Sequence, residues 1–331
     1  MTQLAVLPTR PAFSAAAIEI DPAAETDRIV AALRRQVRDT LRKRGVVVGV
    51  SGGVDSSLCL ALAVAAFGRE HVLAVMMPEH DSEPDSLRLG REVAEGFGTQ
   101  AAVEDIGRTL EAMGCYARRD AAIRTVEPAY GPGWGAKVVI ASPLAGAESG
   151  LSSLVVQSPD GEIRKVRLRA ATHQALIAAA NMKQRTRKQM EYYHADRLNY
   201  AVVGTPNKLE CDQGFFVKNG DGAADVTPIA HLYKSQVYQL AEFLEVPEAV
   251  RRRPPTTDTW SLPQSQEEFY FSLPWRAMDL CLAGLALGAA PDEVAEAAGL
   301  DADAVERVWR DIAAKRAATA ALQLPPLLVE D

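Results

Sequence analysis

A short apolar strand that runs directly into a glycine turn and then a helix constrains this chain more than any other segment. Residues 46–50 read VVVGV, residues 51–53 read SGG, and residues 54–66 continue as VDSSLCLALAVAA with apolar positions at helical spacing. Such a turn points several backbone N–H groups at one place, and glycine lets an anion approach closely. The helix dipole adds partial positive charge there. The turn is therefore suited to binding phosphate.

The carboxylate of Asp55 inside this turn is the unusual feature. It would repel a bare phosphate at close range, so its presence favours a divalent cation between the carboxylate and the phosphates. The plainer interpretation is that Asp55 only complements the dipole of its helix. No Gly-Lys-Ser/Thr follows, so the turn is not a Walker A loop, and it is not a G-x-G-x-x-G motif.

Strands alternate with helices along much of the chain. Strands are predicted at residues 46–50, 71–78, 100–106 and 200–204, and helices at 21–45, 55–68, 85–98 and 173–199. The first helix is expected to begin at a cap from Asp21 or Thr26 and to end at Gly45. This alternation predicts an α/β fold with a doubly wound parallel sheet and right-handed crossovers.

The middle and the end of the chain depart from this alternation. Residues from about 130 to 169 are rich in Gly, Pro and Ser, and Pro-Asp-Gly at 159–161 separates two β-rich runs, which predicts a hairpin. We interpret this part as an insertion in one domain spanning residues 1–288. A helix is expected at 234–246 and a flexible polar segment at 251–268. Residues 289–331 are expected to form a helical extension packed on the same domain.

Composition narrows the partners and the location. The net charge of −7 argues against a broad nucleic-acid-binding surface. The four cysteines lie far apart without a C-x-x-C pair, which disfavours a zinc site and suits unpaired thiols. No run approaches the length of a membrane span, and the N-terminus is a poor signal peptide. The sequence thus predicts a cytoplasmic protein without nucleic-acid or membrane partners.

The motif GVSGGVDSS at residues 49–57 resembles the pyrophosphate-binding (PP) loop of the ATP pyrophosphatases, whose fold is the adenine nucleotide alpha-hydrolase type. Those enzymes split ATP between its α and β phosphates and activate an acceptor oxygen with AMP. The runs NMKQRTRKQMEYY at 181–193, VVGTPNKLE at 202–210 and GFFVKNGDGAADVTPIAHLYKSQV at 214–237 are similar to the ammonia-dependent NAD synthetase family in particular. The resemblance extends, with gaps, from about residue 18 to residue 287.

The resemblance implies roles for the residues that match it. ATP would be bound by Gly49, Val50, Ser51, Gly52, Gly53, Val54, Asp55, Ser56, Thr205, Lys234 and Thr256. Magnesium would be held by Asp55 and Glu210, since carboxylate oxygens suit that cation. The substrate deamido-NAD would be contacted by Asn181, Arg185, Lys218, Asp221 and Asp225. Lys234 would offset charge in the transition state, and Asp221 would hold or deprotonate ammonium, which makes Asp55, Asp221 and Lys234 the expected catalytic residues.

The implied reaction has two steps. The substrate carboxylate would attack the α-phosphorus of ATP and release pyrophosphate, and ammonia would then attack the acyl-adenylate and release AMP. No second catalytic domain for glutamine hydrolysis is expected, so free ammonia or a separate glutaminase partner would supply nitrogen. By the same resemblance the protein would be a homodimer.

Three segments depart from the family pattern: the insertion, the run PPTTDTWSLPQSQEEFYFSLPW at 254–275, and a tail that carries Lys315 and Arg316 without a preceding histidine. A related enzyme that amidates another carboxylate would keep the ATP site and change these places. A non-catalytic nucleotide-binding protein would be expected to lose a magnesium carboxylate or the lysine, yet Asp55, Glu210 and Lys234 are present. A tRNA-modifying enzyme is disfavoured because the chain has no cysteine pair and no basic balance.

Overall fold

The computed structural model describes residues 12–140, 152–257 and 259–329. The strands are β1 (Val46–Gly49), β2 (Val72–Met76), β3 (Gln100–Val103), β4 (Gly135–Ile140), β5 (Ser152–Gln157), β6 (Ile163–Arg167) and β7 (Ala201–Val203). The helices are α1 (Pro22–Arg34), α2 (Val54–Phe67), α3 (Pro84–Gly96), α4 (Gly107–Ala112), α5 (Cys115–Arg124), α6 (Ala170–Leu198), α7 (Lys208–Gln213), α8 (Lys234–Phe243), α9 (Glu248–Arg252), α10 (Trp275–Leu287), α11 (Pro291–Ala298) and α12 (Ala302–Gln323).

A four-stranded parallel sheet in the order β3-β2-β1-β7 forms the centre of the fold. Val46 of β1 lies opposite Val72 of β2 and Ala201 of β7, and all three strand pairs are parallel. Because parallel strands need crossover connections, the helices between them must cover the faces of the sheet. The predicted α/β class and parallel sheet are confirmed.

Alternate residues of β1 serve opposite faces of this sheet, as the strand period of two requires. Val46 and Val48 are buried in a cluster with side chains of α1, α2 and α8. Val47 is buried in a second cluster with Ala195 of α6. Helices therefore lie on both faces, and the sheet is doubly wound.

The predicted insertion contains a separate antiparallel sheet in the order β4-β5-β6. The hairpin expected around residues 159–161 is confirmed by the pairing of β5 with β6. The strand β4 was not predicted, because it lies in a Gly- and Pro-rich stretch and its partner β5 follows only after residues 141–151, which lie outside the described residues. This sheet packs on α5 and the first half of α6, where Val138 and Leu154 meet Ile123 and Leu176.

Several sequence predictions need correction. Asp21 caps α1 as one of the two expected caps, accepting from the N–H groups of Ala23 and Ala24. The helix does not reach Gly45, because a wider π-type turn follows at Arg35–Thr40 and helical structure ends there. The helices α4, α5, α7, α9 and α10 were not predicted. The first four are short or weakly amphipathic, and α10 is apolar on most sides, so helical periodicity is faint in them.

The predicted C-terminal helices are present as α11 and α12, and they share a buried cluster with α10. The predicted domain division at residue 288 stays a prediction, although α10 lies before it and packs with both later helices. Within the described parts of the chain, no helix combines the length and the apolar character needed to cross a membrane. The four cysteines are unpaired, as the sequence predicted.

Candidate active site

The turn between β1 and α2 has the conformation that its glycines permit. Gly52 has φ of +74°, and a Cβ there would lie 2.7 Å from the Ser86 carbonyl oxygen. A Cβ at Gly49 would lie 2.7 Å from Oε1 of Glu191. At Gly53, in contrast, the nearest atom to an added Cβ is Oγ of Ser51 at 3.4 Å. Packing thus demands the first two glycines, whereas Gly53 is on the side open to a ligand.

Serine hydroxyls hold the turn in shape. Oγ of Ser56 donates to the Gly53 carbonyl at 3.1 Å and accepts from the Ser51 N–H at 3.2 Å. Oγ of Ser57 donates to the same Gly53 carbonyl at 2.8 Å. Because these bonds fix the backbone, the turn can present its N–H groups to an anion without reorganising.

Two adjoining cavities open around this turn. The small cavity, of about 130 Å³, is lined by Ser51, Gly53, Val54, Asp55, Ser56, Thr205, Glu210, Lys234, Arg253, Pro254, Pro255, Thr256 and Gln266. The large cavity, of about 360 Å³, is lined by the same Ser51, Ser56, Thr205 and Thr256 and by residues of the β2–α3 loop and α6. The structure thus brings together most of the residues that the sequence analysis assigned to ATP.

Asp55 and Lys234 form an ion pair at the floor of the small cavity. Nζ of Lys234 donates to Oδ2 of Asp55, and Nδ2 of Asn207 donates to Oδ1 at 3.1 Å. The Lys234 side chain is only 2% exposed. Burial alone would lower its pKa, but the charges of Asp55 and Glu210 outweigh burial, so the pKa of Lys234 is raised. The lysine is therefore a permanent cation beside the phosphate-binding turn.

Glu210 is fixed by a capping box at the start of α7. Its Oε2 accepts from the Asn207 N–H at 2.9 Å, and Oδ1 of Asn207 accepts from the Glu210 N–H at 3.3 Å. Nε2 of Gln266 donates to Oε1 at 3.1 Å. Removal from water, together with the negative charge of Asp55, raises the pKa of Glu210 to about 8.

The donor set of this cavity fits a divalent cation. Asp55 and Glu210 both line the small cavity, and Lys234 supplies only one positive charge against their two negative charges when both are ionised. Among the described residues no group of three or more His, Cys, Asp and Glu side chains is arranged to hold a metal. A cation bound here would take its remaining ligands from water or from phosphate oxygens, as Mg²⁺ usually does.

The predicted substrate residues divide into two groups. Asp221 lines the large cavity, where burial raises its pKa and its Oδ1 accepts from the Val217 N–H at 2.7 Å. Asn181, Arg185, Lys218 and Asp225 do not line either cavity. Of the five residues predicted to contact the substrate, Asp221 alone lies at the wall of either cavity.

Three of those outer residues have structural partners. Nε of Arg185 donates to the Lys218 carbonyl at 3.2 Å, and Nζ of Lys218 donates to the carbonyls of Ala321 and Leu324 at 3.1 and 2.8 Å. Oδ2 of Asp225 accepts from the Val202 N–H at 2.7 Å, which ties the following loop to β7. Arg185 and Lys218 thus form a surface beside the end of α12.

A buried charge network on the other side of the large cavity was not predicted from the sequence. Nζ of Lys183 donates to Oε1 of Glu79 at 2.9 Å, to Oδ2 of Asp81 at 2.6 Å and to the Thr259 carbonyl at 2.6 Å. The hydroxyl of Tyr116 donates to Oε2 of Glu79 at 2.8 Å. Two acids directly after a parallel strand, as in PEHD after β2, were the available signal, since ligand sites form at that end of the strands.

Arg253 and Asp279 were also missed. The Arg253 guanidinium lines the small cavity and donates to Oε2 of Glu83 at 2.6 Å and to Oγ of Ser86 at 2.9 Å. Asp279, fully buried on α10, accepts from the N–H groups of Lys234 and Ser235 at 3.1 and 2.6 Å. A lone acid in an apolar helix was the only signal for Asp279.

A phosphate-binding turn after β1, a helix N-terminus behind it and paired acids with a lysine beside it define a nucleotide-binding α/β protein of the PP-loop type. The model of the NAD synthase family matches residues 25–127 and 154–317. The chain belongs to the NAD synthase family.

Relatives of similar length carry the same family name. The chain is 65% identical over 319 residues to an NH(3)-dependent NAD(+) synthetase of Rhizobium rhizogenes, covering 96% of each chain. It is 58% identical to one of Mesorhizobium japonicum, covering 94% of this chain and 98% of the relative. A relative of Coprothermobacter proteolyticus with that name is 34% identical, over 87% of this chain and 93% of its own.

Solved structures of lower identity share the fold. An NMN synthetase of Francisella tularensis superposes with a TM-score of 0.65 at 21% identity, covering 95% of this chain and all of its own. An NH3-dependent NAD synthetase of Campylobacter jejuni superposes with a TM-score of 0.60 at 20% identity, covering 94% of this chain and all of its own. The family model passes over residues 128–153, which include β4. The alignment with the Rhizobium rhizogenes relative, by contrast, is too long to omit that segment.

Proposed function

We propose that this protein is an ATP-dependent amide ligase that converts deamido-NAD to NAD with ammonia, through an acyl-adenylate, and releases AMP and pyrophosphate. The observation that carries the proposal is the convergence of the phosphate-binding turn, Asp55, Glu210 and Lys234 on one small cavity. That cavity adjoins a larger one with room for further parts of the substrates. The curated relatives named NH(3)-dependent NAD(+) synthetase, matched over nearly their whole length, support the choice of reaction.

The residues of the turn bind the polyphosphate. The N–H groups that follow β1 and the positive end of α2 face the place where the pyrophosphate leaves. Because its pKa is raised, Lys234 keeps its positive charge and opposes the negative charge that develops on the leaving oxygens. Since Ser56 and Ser57 already fix the turn, this electrostatic stabilisation needs no rearrangement at the moment of reaction.

Magnesium is the cation that the proposal assigns to Asp55 and Glu210. When bound, it neutralises phosphate charge and polarises the bonds that break. Gln266 and Asn207 orient the Glu210 carboxylate toward that position through their bonds at 3.1 and 2.9 Å. Nδ2 of Asn207 also donates to Asp55, so one residue positions both carboxylates, Glu210 through its backbone N–H and Asp55 through its side chain.

Substrate recognition is proposed for the residues on and beyond the large cavity. Asp221, with its raised pKa, is placed to exchange a proton with ammonium at the cavity wall. Arg185, Lys218, Asn181 and Asp225 would contact parts of deamido-NAD that extend beyond the cavity. A homodimer, a separate glutaminase partner and a cytoplasmic location stay predictions from the sequence.

The reaction is tested with purified protein, ATP, Mg²⁺ and ammonium, with and without deamido-NAD. We expect AMP and pyrophosphate release that depends on deamido-NAD, with NAD formed in equal amount. Folded protein that binds ATP but does not respond to deamido-NAD would overturn the substrate assignment. A screen of other carboxylic acids for AMP release would then test the alternative of a related amide ligase.

A further inference from the structure

Two of the segments that the sequence singled out as departures, the insertion and the run at 254–275, contact each other. The insertion contributes the edge strand β4, and the braced segment, which we define as residues 254–257 and 259–268, lies along its free edge. The braced segment supplies Thr256 and Gln266 to the small cavity and Thr257 to the large one. The insertion therefore reaches the site through this segment.

The free edge of β4 bonds the braced segment at alternate residues, as an edge strand does with an added chain. The Ala136 N–H donates to Oγ of Ser261 at 2.9 Å, and the Leu262 N–H donates to the Ala136 carbonyl at 3.3 Å. Two residues along β4, the Val138 carbonyl accepts from Nε2 of Gln264. Backbone groups on the free edge of β4 thus have hydrogen-bond partners in the braced segment.

Side-chain contacts reinforce this attachment. Nζ of Lys137 on β4 donates to the Pro263 carbonyl at 3.1 Å and pairs with Glu268 at 2.8 Å. Trp260 is 5% exposed and packs in the same buried cluster as Val138. Both polar and apolar contacts therefore hold the braced segment against the β4-β5-β6 sheet.

Gln264 connects this attachment to the site. It is 4% exposed, so its amide must find partners within the protein. Its carbonyl accepts from the Thr257 N–H at 3.2 Å, and its Oε1 accepts from Oγ1 of Thr257 at 3.3 Å. The adjacent Thr256 pairs with Ser265 as an isolated bridge. One buried side chain thus spans from the insertion to the threonines of the cavities.

We propose that the insertion is a brace, in which β4, acting through Gln264, holds Thr256 and Gln266 at the phosphate-binding turn before any substrate binds. Gln264 is then a positioning residue. The role of Thr256 toward ATP rests on the proposed function, but the brace itself is a statement about the free protein. A segment already held in place spares ATP the cost of ordering it, so the apparent affinity for ATP is higher.

The brace is tested by amide hydrogen exchange of the free protein and by kinetics in Gln264→Met, which keeps the volume and removes the polar bonds. Ser261 is exposed, so Ser261→Ala is a milder second variant that leaves the core intact. Lys165→Ala on β6, at the opposite edge of the same sheet, is the matched control. We expect faster exchange at residues 256–257 and 259–266 in Gln264→Met, a smaller effect in Ser261→Ala, and none in the control.

If the braced position is occupied only a tenth of the time in Gln264→Met, the apparent KM for ATP rises about tenfold while kcat at saturating ATP changes less than about twofold. Added ATP and Mg²⁺ should restore slow exchange. Unchanged exchange in Gln264→Met, or a loss of kcat and thermal stability without a change in KM, would overturn the brace. Exchange is read without turnover, so failure of the proposed reaction would be seen separately, as wild-type protein that forms no NAD.

Discussion

Nζ of Lys234 donates to Oδ2 of Asp55, and this pair joins the first turns of two helices that are distant in sequence. Asp55 lies in the first turn of α2 and Lys234 begins α8, so the positive ends of both helices point toward the small cavity. Asp279 accepts from the first N–H groups of α8 and fixes that end in place. The site is thus built where helices begin.

The first prediction concerns Asp55→Asn. The variant keeps the shape of the side chain, including an acceptor for Asn207, but loses the charge for the cation and for Lys234. We expect a folded protein whose Mg²⁺-supported AMP release falls by about 100-fold or more, as when a main electrostatic group is removed. Asp85→Asn, at the exposed first turn of α3, is the matched control. Near-normal turnover of Asp55→Asn across a magnesium titration would contradict the metal assignment.

The second prediction concerns the pH dependence of stability through Asp279. Burial raises the pKa of Asp279 to about 6 from an ordinary 3.8, so the folded state favours the protonated acid. The protonated acid contributes fully to the stability of the folded state below pH 3.8, and this contribution is lost as the pH rises through 6. The shift corresponds to at most about 3 kcal/mol.

The asparagine in Asp279→Asn does not titrate. The free energy of unfolding of the wild type minus that of the variant should therefore fall by up to about 3 kcal/mol from pH 4 to pH 7. Urea unfolding at several pH values measures this difference, which cancels the titration of other groups. A difference that is constant across this range would show that Asp279 ionises as in water.

The sequence predicted the parts of this fold that depend on local pattern. The run VVVGV followed by Ser-Gly-Gly identified β1, the turn and α2, because a buried strand, glycine and helical periodicity are all read over a few residues. Glu210 and Lys234, which follow β7, could be assigned to the site only through the family resemblance. The structure then places both in one cavity with Asp55.

What the sequence could not predict depends on contacts between distant residues. The strand β4 is defined by its pairing with β5 and by the segment around Gln264, not by its own Gly- and Pro-rich surroundings. Lys183 on α6 looks like an ordinary surface lysine until the fold brings Glu79 and Asp81 to it. Burial of a charge is a property of the whole fold, so no local pattern reports it.

The third prediction concerns this buried lysine. Lys183→Met removes the cation that faces Glu79 and Asp81, whose side chains are 0% and 8% exposed. Arg119 still pairs with Asp81, so the charge left buried without a cationic partner is that of Glu79. We expect the free energy of unfolding to fall by about 3–5 kcal/mol. Urea unfolding at pH 7 measures the loss, and Lys165→Met on the exposed face of β6 is the control. The double variant with Glu79→Gln should recover part of the loss, and no recovery would argue against charge as its cause.

The fourth prediction concerns Arg185, which lies outside both cavities and donates to the Lys218 carbonyl. If this surface contacts deamido-NAD, Arg185→Ala should raise the KM for deamido-NAD by about tenfold or more, as loss of a charged hydrogen bond does, with little change for ATP. Arg88→Ala, an exposed arginine on α3, is the control. Equal effects on both KM values would place Arg185 outside the substrate site.

The last prediction concerns Arg253, whose guanidinium lies beside the phosphate-binding turn. Its side chain is 13% exposed, and one nitrogen lies 3.5 Å from the Gly52 carbonyl while another pairs with Glu83 at 2.6 Å. Its guanidinium adds positive charge to the small cavity. Removing it should weaken the binding of ATP and of the product pyrophosphate together.

We expect Arg253→Ala to raise the KM for ATP and the inhibition constant of pyrophosphate by about tenfold each, the loss of one charge-assisted contact. Arg253→Lys keeps the charge but not the fork that reaches Glu83 and Ser86, so its effect should be intermediate. The neighbouring Arg252 is 79% exposed and pairs with Glu248, which makes Arg252→Ala the matched control. A rise in the KM for ATP without weaker pyrophosphate inhibition would mean that Arg253 acts only by holding Glu83 and not on the phosphates.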